Sequence, residues 1–401
     1  MNILVLTTSF PLKDGIAVGI HVLEKCRGLV KSGNRVRVIA PHHPGALARE
    51  IIDGIEIIRF KYFFPTSLQK LAYGSGIPTN LRRNFLAKVQ LPFFLMSFFY
   101  SAITNGRGFK IIHSHWSIAG FVGVISAFFL NAKTVLSMHG AEVFVLGKNM
   151  FLGFTLKQTD LIVCNSNFTK DQIESHYEVG AINVIHPGAD TNRFQPTANE
   201  NLRERLNLSE EDFFVLTIGK FIPRKGLEFL IRAIYLVAVR EGHARVKLRI
   251  GGRGYLKSAY LELIKDLRIE SHIEFLDYIP DEHIPEYYSE ADVFVLPSII
   301  DDRGDTEGLG VVLIEAGACQ TPVIASRVGG IVDVVEHGIN GYLVEEKNSE
   351  KLVEKIIELH KDSELRKVMG QNGRKIALAK FSWENNSKEF IKAYSQLLSS
   401  L

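Results

Sequence analysis

Short apolar runs recur along the whole chain, each followed by a stretch in which apolar residues return at helical spacing. Strands are predicted at 3–6, 35–40, 111–113, 134–137, 161–164 and 183–186. A second series follows at 213–219, 247–251, 272–275, 293–296, 323–325 and 341–344. Helical periodicity fills most of the gaps, so parallel sheets joined by crossover helices are expected. The series restarts after 187–196, a connector containing Gly, Pro and Asn, which divides the chain into domains 1–190 and 191–381. Residues 382–401 read as a final amphipathic helix with Ser382 as its N-cap.

The most chemically pointed segment is 304–319, a polar loop broken by Gly308 and Gly310 that runs into an apolar helix. The glycines around Leu309 free the backbone to turn and approach a ligand, and the helix start offers unpaired N–H groups to an anion such as a diphosphate. Glu307 and Glu315 stand eight positions apart, placed to accept hydrogen bonds from hydroxyls on either side of the phosphates. A nucleotide sugar has that layout. Taken alone, the loop reads better as a surface loop capping the helix, with both glutamates solvated. A second signal lies upstream: the apolar run 213–218 ends at Gly219, a cationic turn carries Lys220, Arg224 and Lys225, and helical spacing resumes at Leu227. Ligands of open α/β sheets bind outside the carboxyl ends of strands, where these cations fall.

Together these segments resemble the nucleotide-sugar half of the group 1 (family 4) retaining glycosyltransferases. The resemblance is carried by Glu307 to Glu315, the turn 219–226, Tyr278-Ile279-Pro280, the run 287–298, Pro322 to Gly330 and the run 338–344. The N-terminal half matches more loosely, through Ser9-Phe10-Pro11, Gly15 and Gly19, the run 113–116, His139-Gly140 and the run 187–190. It implies a GT-B fold, two Rossmann-like domains with parallel sheets facing a central cleft, with the last helix packing back on the first domain. It further implies metal-independent transfer from a nucleoside diphosphate sugar. Lys220, Lys225 and the Gly308–Gly310 amides would stabilise the departing diphosphate, Glu307 would orient the donor sugar and Glu315 would hold the ribose. Arg224 has a weaker claim. Where the family has arginine directly after the strand glycine this chain has Lys220, which keeps the charge and loses the bidentate fork. Gly252 and Gly254 would let backbone approach the ligand, and Gly15 and Gly19 would do so from the first domain. His139 is assigned to the donor sugar and leaving phosphate, with Glu142 one methylene longer than the family's aspartate. His113 and His115 are expected to be structural.

Other chemistries fit less well. Gly251-Gly252-Arg253-Gly254 suggests a dinucleotide fingerprint, but its third glycine position holds Lys257. Asp301, Asp302 and Asp305 could hold magnesium or manganese, yet the lysines and helix amides already supply the counter-charge, so no metal and no other cofactor is expected. A nucleotide-sugar 2-epimerase and a silent nucleotide-sugar binding protein remain the alternatives. The chain of 401 residues, 46% apolar and 23% charged, can bury two ordinary cores. Its three cysteines, Cys26, Cys164 and Cys319, lack metal or disulfide spacing, and the N-terminus reads as a first strand rather than a signal peptide, so a cytoplasmic location is expected.

Charge adds one more expectation. Residues 1–190 hold 19 basic and 11 acidic side chains, net +8, and the remainder is net −5. From residue 57 to 141 there are nine basic residues and no acid, around an apolar run at 91–100 too short and interrupted to span a bilayer. The run could be a buried helix. The basic flank favours an anionic membrane surface, on the inner face of the membrane, where a glycolipid or polysaccharide acceptor would be met. No nucleic-acid-binding motif accompanies the charge.

Overall fold

The computed structural model describes residues 1–12, 19–74, 76–140, 149–199 and 201–399. The chain forms two compact units, Met1–His186 with Trp383–Leu401, and Pro187–Ser382. The division falls at the start of the connector, four residues before the expected boundary, and Ser382 stays with the second unit, where it pairs with Ala189.

The first unit's strands are β1 (Asn2–Thr7), β2 (Arg35–Pro41), β3 (Arg49–Ile52), β4 (Ile55–Phe60), β5 (Ile111–His115), β6 (Lys133–Met138), β7 (Leu161–Cys164) and β8 (Ile182–Val184). They lie in the order β3-β4-β2-β1-β5-β6-β7-β8, all parallel except β3, which runs antiparallel to β4. Helices pack on the sheet, and the central strands are therefore buried along their length. The β3–β4 hairpin was not among the expected strands. Its Asp53-Gly54 turn, with φ of 50° and 77°, is the sequence mark that announces it. Helix Ile20–Lys31 buries Val22, Leu23, Cys26 and Leu29, each aliphatic side chain contributing roughly 1.5–3 kcal/mol. Helix Trp383–Ser399 packs against it within this unit, as the family resemblance implies. Gly28 sits at their crossing, where an added Cβ would lie 1.9 Å from Ser387 Oγ.

The second unit holds β9 (Phe213–Ile218), β10 (Val246–Gly251), β11 (Ile273–Asp277), β12 (Val293–Leu296), β13 (Val323–Ser326) and β14 (Gly341–Val344), all parallel in the order β11-β10-β9-β12-β13-β14. Alternate residues of β9 feed opposite cores, Phe213 and Val215 on one face and Phe214 and Leu216 on the other. In each sheet the chain builds outward from a central strand and then returns to its other side. The return lies between β1 and β5 in the first unit and between β9 and β12 in the second. Loops leaving those strands at their carboxyl ends form a crevice by construction.

Candidate functional site

In the second unit, β9 ends at Ile218 and the chain turns through Gly219 and Lys220 into a 3-10 turn, Pro223–Lys225, before helix Leu227–Tyr235. Gly226 makes the turn possible: its φ is 58°, and a Cβ there would lie 2.1 Å from the Pro297 carbonyl oxygen after β12. The two loops of the crevice are thereby locked together. Lys225 Nζ lies 2.5 Å from Glu307 Oε2, Arg224 Nη1 3.1 Å from the same oxygen, and Ser298 Oγ 3.5 Å from it. Arg224 Nε also reaches Asp305 Oδ2 at 3.3 Å. Burial pushes the Glu307 carboxyl up, but Lys225 and Arg224 together outweigh it and hold it below the usual carboxylate range. Burial raises the Asp305 carboxyl, with Arg224 opposing.

This changes the expected division of labour. Lys225 and Glu307, read from the sequence as separate contacts to diphosphate and sugar, are each other's partners, and Arg224 belongs fully to the cluster. Lys220 is exposed, and while its carbonyl accepts from Ile222 N–H at 3.0 Å, its side chain has no hydrogen-bond or ion-pair partner among the described residues, leaving the ammonium available to an anion. Asp301 Oδ1 accepts the backbone N–H groups of Arg303 and Asp305 at 2.9 and 3.0 Å. The acidic run thus closes its own loop.

Glycines hold Glu307 in place. Gly330 N–H donates to the Glu307 carbonyl at 2.9 Å, and a Cβ on Gly329, whose φ is 54°, would lie 2.0 Å from that oxygen. Gly310, with φ of 85°, opens helix Val311–Ala318, and Gly308 and buried Leu309 lead into it. Gly252 and Gly254 also have a packing reason that the sequence did not show. Their missing Cβ atoms would lie 1.8 Å from the Gly219 carbonyl oxygen and 2.4 Å from that of Phe221, so they let the turn after β10 pack on the turn after β9.

Glu315 is half-buried on helix Val311–Ala318 and accepts a hydrogen bond from Tyr288 Oη at 3.2 Å. Burial lifts its carboxyl to about 7. A carboxyl on this threshold ionises readily once hydroxyl donors approach. The partnership with Tyr288 was not read from the sequence, although both residues lie in segments that carry the resemblance.

The first unit gathers a second cluster at the ends of β5 and β6. His115 Nδ1 lies 3.2 Å from His139 Nε2 with the rings stacked, and His21, from the start of helix Ile20–Lys31, meets His139 edge-on at 4.7 Å. Burial pushes His115 and His139 well below the usual imidazole range and His21 to about 4, so the three are neutral near pH 7. Ligating atoms of His21, His115 and His139 lie within 4.8 Å of one another, close enough to hold a divalent cation. Behind them Lys25 is buried, with Nζ 3.9 Å from the Phe390 ring centre and 3.3 Å from Ser137 Oγ, and its charge opposes a metal. Burial lowers its ammonium to about 7. His113 has both ring nitrogens engaged, Nε2 with Ser137 Oγ at 2.7 Å and Nδ1 with Tyr394 Oη at 2.6 Å, and ties the last helix to the sheet. Sequence reasoning missed His21 and Lys25; their i, i+4 spacing on one helix face is the signal that could have found them. Trp116 adopts φ 67° directly after β5, a costly conformation for a non-glycine residue at a crevice. Gly19, φ 80°, packs against the Ser9 carbonyl oxygen, which a Cβ would approach to 2.7 Å. Gly15 and Glu142 lie outside the described residues.

Comparison with known proteins places this architecture. Residues 198–376 match the family described as glycosyl transferases group 1, and residues 18–193 match glycosyltransferase family 4. An uncharacterized glycosyltransferase of Methanocaldococcus jannaschii is 32% identical over 74% of this chain and 78% of its own length. The GDP-mannose-dependent alpha-(1-6)-phosphatidylinositol monomannoside mannosyltransferase of Mycolicibacterium smegmatis is 31% identical over 66% of this chain and 70% of its own. Among solved structures, sucrose-phosphate synthase from Thermosynechococcus elongatus superposes with a TM-score of 0.80 at 23% identity, covering all of both chains. Anabaena HepE in complex with UDP-glucose does so with a TM-score of 0.70 at 20% identity, again over all of both chains. Two parallel-sheet α/β units, each with its crevice at a strand reversal, are thus the two halves of a GT-B fold, and the chain belongs to the group 1, family 4 glycosyltransferases.

Proposed function

We propose that this glycosyltransferase moves a hexosyl group, with retention of configuration and without a metal, from a nucleoside diphosphate sugar to a lipid-linked or polysaccharide acceptor of the cell envelope. The observation that carries the reading is the Lys225–Arg224–Glu307 cluster at the β9–β12 crevice, with Lys220 left free beside it. Breaking the anomeric C–O bond places negative charge on the diphosphate, and fixed cations and helix amides stabilise that charge at little reorganisation cost. Lys220, Lys225, Arg224 and the Gly308–Gly310 amides meet the diphosphate, Glu307 orients the sugar hydroxyls and Glu315 takes the ribose hydroxyls. Donor binding draws Lys225 from Glu307 toward phosphate, freeing the carboxylate for the sugar. His139, neutral and backed by His115, serves the donor sugar as a hydrogen-bond partner in the first unit.

The relatives support the donor class. The Mycolicibacterium protein is named for GDP-mannose and HepE carries UDP-glucose. The former's named acceptor is a phosphatidylinositol glycoside, which favours a lipid-linked acceptor here. Such an acceptor brings the enzyme to a membrane surface on the cytoplasmic side. A panel of UDP- and GDP-sugars with a lipid-linked acceptor extract tests the reading. Release of nucleoside diphosphate coupled to a glycosylated product supports it. Epimerised sugar without an acceptor would instead mark a 2-epimerase, and binding without turnover a silent binder.

A further inference from the structure

We propose that the first unit docks on an anionic phospholipid bilayer through an aromatic face shared by three helices, Phe85–Asn105, Ser117–Leu130 and Met150–Gln158. The proposal deepens the acceptor reading above, on which it rests for its purpose, by naming the surface that meets the acceptor's membrane.

Helix Phe85–Asn105 is apolar on two faces. One face, with Ala87, Phe94, Phe98 and Ala102, is buried in the first unit's core. The other repeats at the same spacing, Phe85, Val89, Phe93, Met96 and Tyr100, and is open: Phe85 is 79% exposed, Met96 61% and Tyr100 71%. A helix with one apolar stripe needs one partner; on the second stripe Phe93 meets Phe63 edge-on at 5.7 Å, while Phe85, Met96 and Tyr100 stay mostly exposed among the described residues. By length and composition it could cross a membrane, but its Phe94–Phe98 face is already committed to the core, so it can lie on a bilayer and not span it. At 1.5 Å per residue its 21 residues offer a flat contact roughly 30 Å long.

The stripe continues onto the neighbouring helices. Phe129 meets Phe99 at 5.7 Å between ring centres and Phe128 beside it is 86% exposed. Phe121 of the same helix stacks at 4.3 Å on Phe151, whose helix also exposes Met150 and Phe154. Contiguous aromatic exposure over three helices exceeds the scattered apolar surface of ordinary soluble domains.

Charge selects the occupant. None of the three helices carries an acidic residue. Exposed Arg82, Arg83 and Lys88 stand at one end of the long helix, Arg107 and Lys110 beyond the other, and Lys157 on the third helix. A groove of about 680 Å³ beside Met96 and Tyr100 adds Arg49 and Lys61, giving an anionic headgroup a place next to the apolar face. An identical copy would set this cationic rim against itself, whereas an anionic bilayer supplies both the negative surface and the apolar interior.

The test is co-sedimentation of the full chain with vesicles. Wild type binds vesicles of phosphatidylglycerol and phosphatidylcholine at low salt, is released by high salt, and ignores vesicles of phosphatidylcholine alone. Each basic residue near the surface is worth about fivefold, so Arg82→Glu, Arg83→Glu and Lys88→Glu together weaken binding by at least ~100-fold. Phe93→Ser with Phe128→Ser weakens it about 10-fold or more even at low salt, because insertion of apolar rings is lost. Titration with nucleoside diphosphates, which reports on the second unit, stays at wild-type affinity in both variants, and a wild-type circular dichroism spectrum and unfolding midpoint show that the first unit folds. If wild type binds vesicles but no nucleotide, the donor reading fails while this proposal stands. Failure of wild type to sediment with anionic vesicles at low salt, binding that both variants retain, or a wild-type dimer that they convert to monomer without any vesicle binding would each overturn it.

Discussion

Replacing Lys225 by alanine separates the two roles the structure gives it. Its ammonium lies 2.5 Å from Glu307, with the two side chains 14% and 13% exposed, so it neutralises a nearly buried carboxylate in the resting enzyme. Removing one partner of a fully buried pair costs about 3–5 kcal/mol. Here Arg224 still holds the same oxygen at 3.1 Å and neither side chain is fully buried, which reduces the expected loss of stability to roughly 1–2 kcal/mol. A reading from sequence alone, with both residues simply lining a cleft, predicts almost none. Glu307→Gln should lose a similar amount, and the double substitution should lose less than the sum, with a coupling of at least about 1 kcal/mol. Acid makes the same point. Since Lys225 and Arg224 together outweigh burial and hold the Glu307 carboxyl low, its contribution is present above the unfolded pKa and lost as pH falls through the folded value. The penalty of Lys225→Ala should therefore shrink in acid. In transfer assays each single variant should lose at least ~100-fold in kcat/KM, equivalent to about 2.7 kcal/mol of transition-state stabilisation. Denaturant unfolding of the four proteins and initial rates with a labelled donor provide the numbers. Additive stabilities would show that Lys225 and Glu307 do not act as a pair, and near wild-type transfer by Lys225→Ala would remove Lys225 from the donor site.

If Glu315 takes the ribose hydroxyls as the carboxylate, as proposed, donor affinity should rise with pH up to about 7, the value to which burial has lifted it. The slope should approach about one decade per pH unit below it and vanish in Glu315→Gln, as donor titrations at several pH values would show. In the free enzyme the same raised carboxyl adds stability that is full below its unfolded pKa and lost as pH climbs through about 7. Chelation with EDTA should leave transfer unchanged; activity lost and restored by manganese or magnesium would return a metal to the mechanism. Gly329→Ala, which would put a Cβ 2.0 Å from the Glu307 carbonyl oxygen at φ 54°, should cost about 2 kcal/mol or more and displace Glu307, lowering kcat with it. His139→Ala should lower kcat by roughly 100-fold, as for a lost transition-state hydrogen bond, while nucleoside diphosphate binding by the second unit persists.

Strands such as 161–164, 293–296 and 341–344 were legible to the residue because buried parallel strands write themselves as apolar runs between breakers. Strands β3 and β4 escaped that rule. β3 is the edge strand and β4 lies next to it, and partly or fully exposed side chains such as Arg49, Glu50 and Glu56 break their apolar runs; the Asp53-Gly54 turn was the sign to follow. Glu307, Glu315 and the cationic turn were visible as motifs, but the bond between Lys225 and Glu307 joins residues 82 positions apart and depends on two loops meeting at a strand reversal. Spacing along the chain cannot encode that. Gly252 shows the converse: its presence was noticed and its packing reason was not, because only the fold reveals the Gly219 carbonyl against which it packs. Lys25 and His21 were hidden for a similar reason, being a charge and an imidazole on what reads as the polar side of an ordinary helix.

The proposed reaction is retaining, metal-free transfer from a nucleoside diphosphate sugar, with the Lys225–Arg224–Glu307 cluster meeting the donor. NMR of the product formed from an α-linked donor in the presence of EDTA tests it most directly. Wild type should form an α-glycoside in step with nucleoside diphosphate release, and Lys225→Ala should form both products at least ~100-fold more slowly. A β-glycoside, a strict need for added metal, or full turnover by the variant would contradict it.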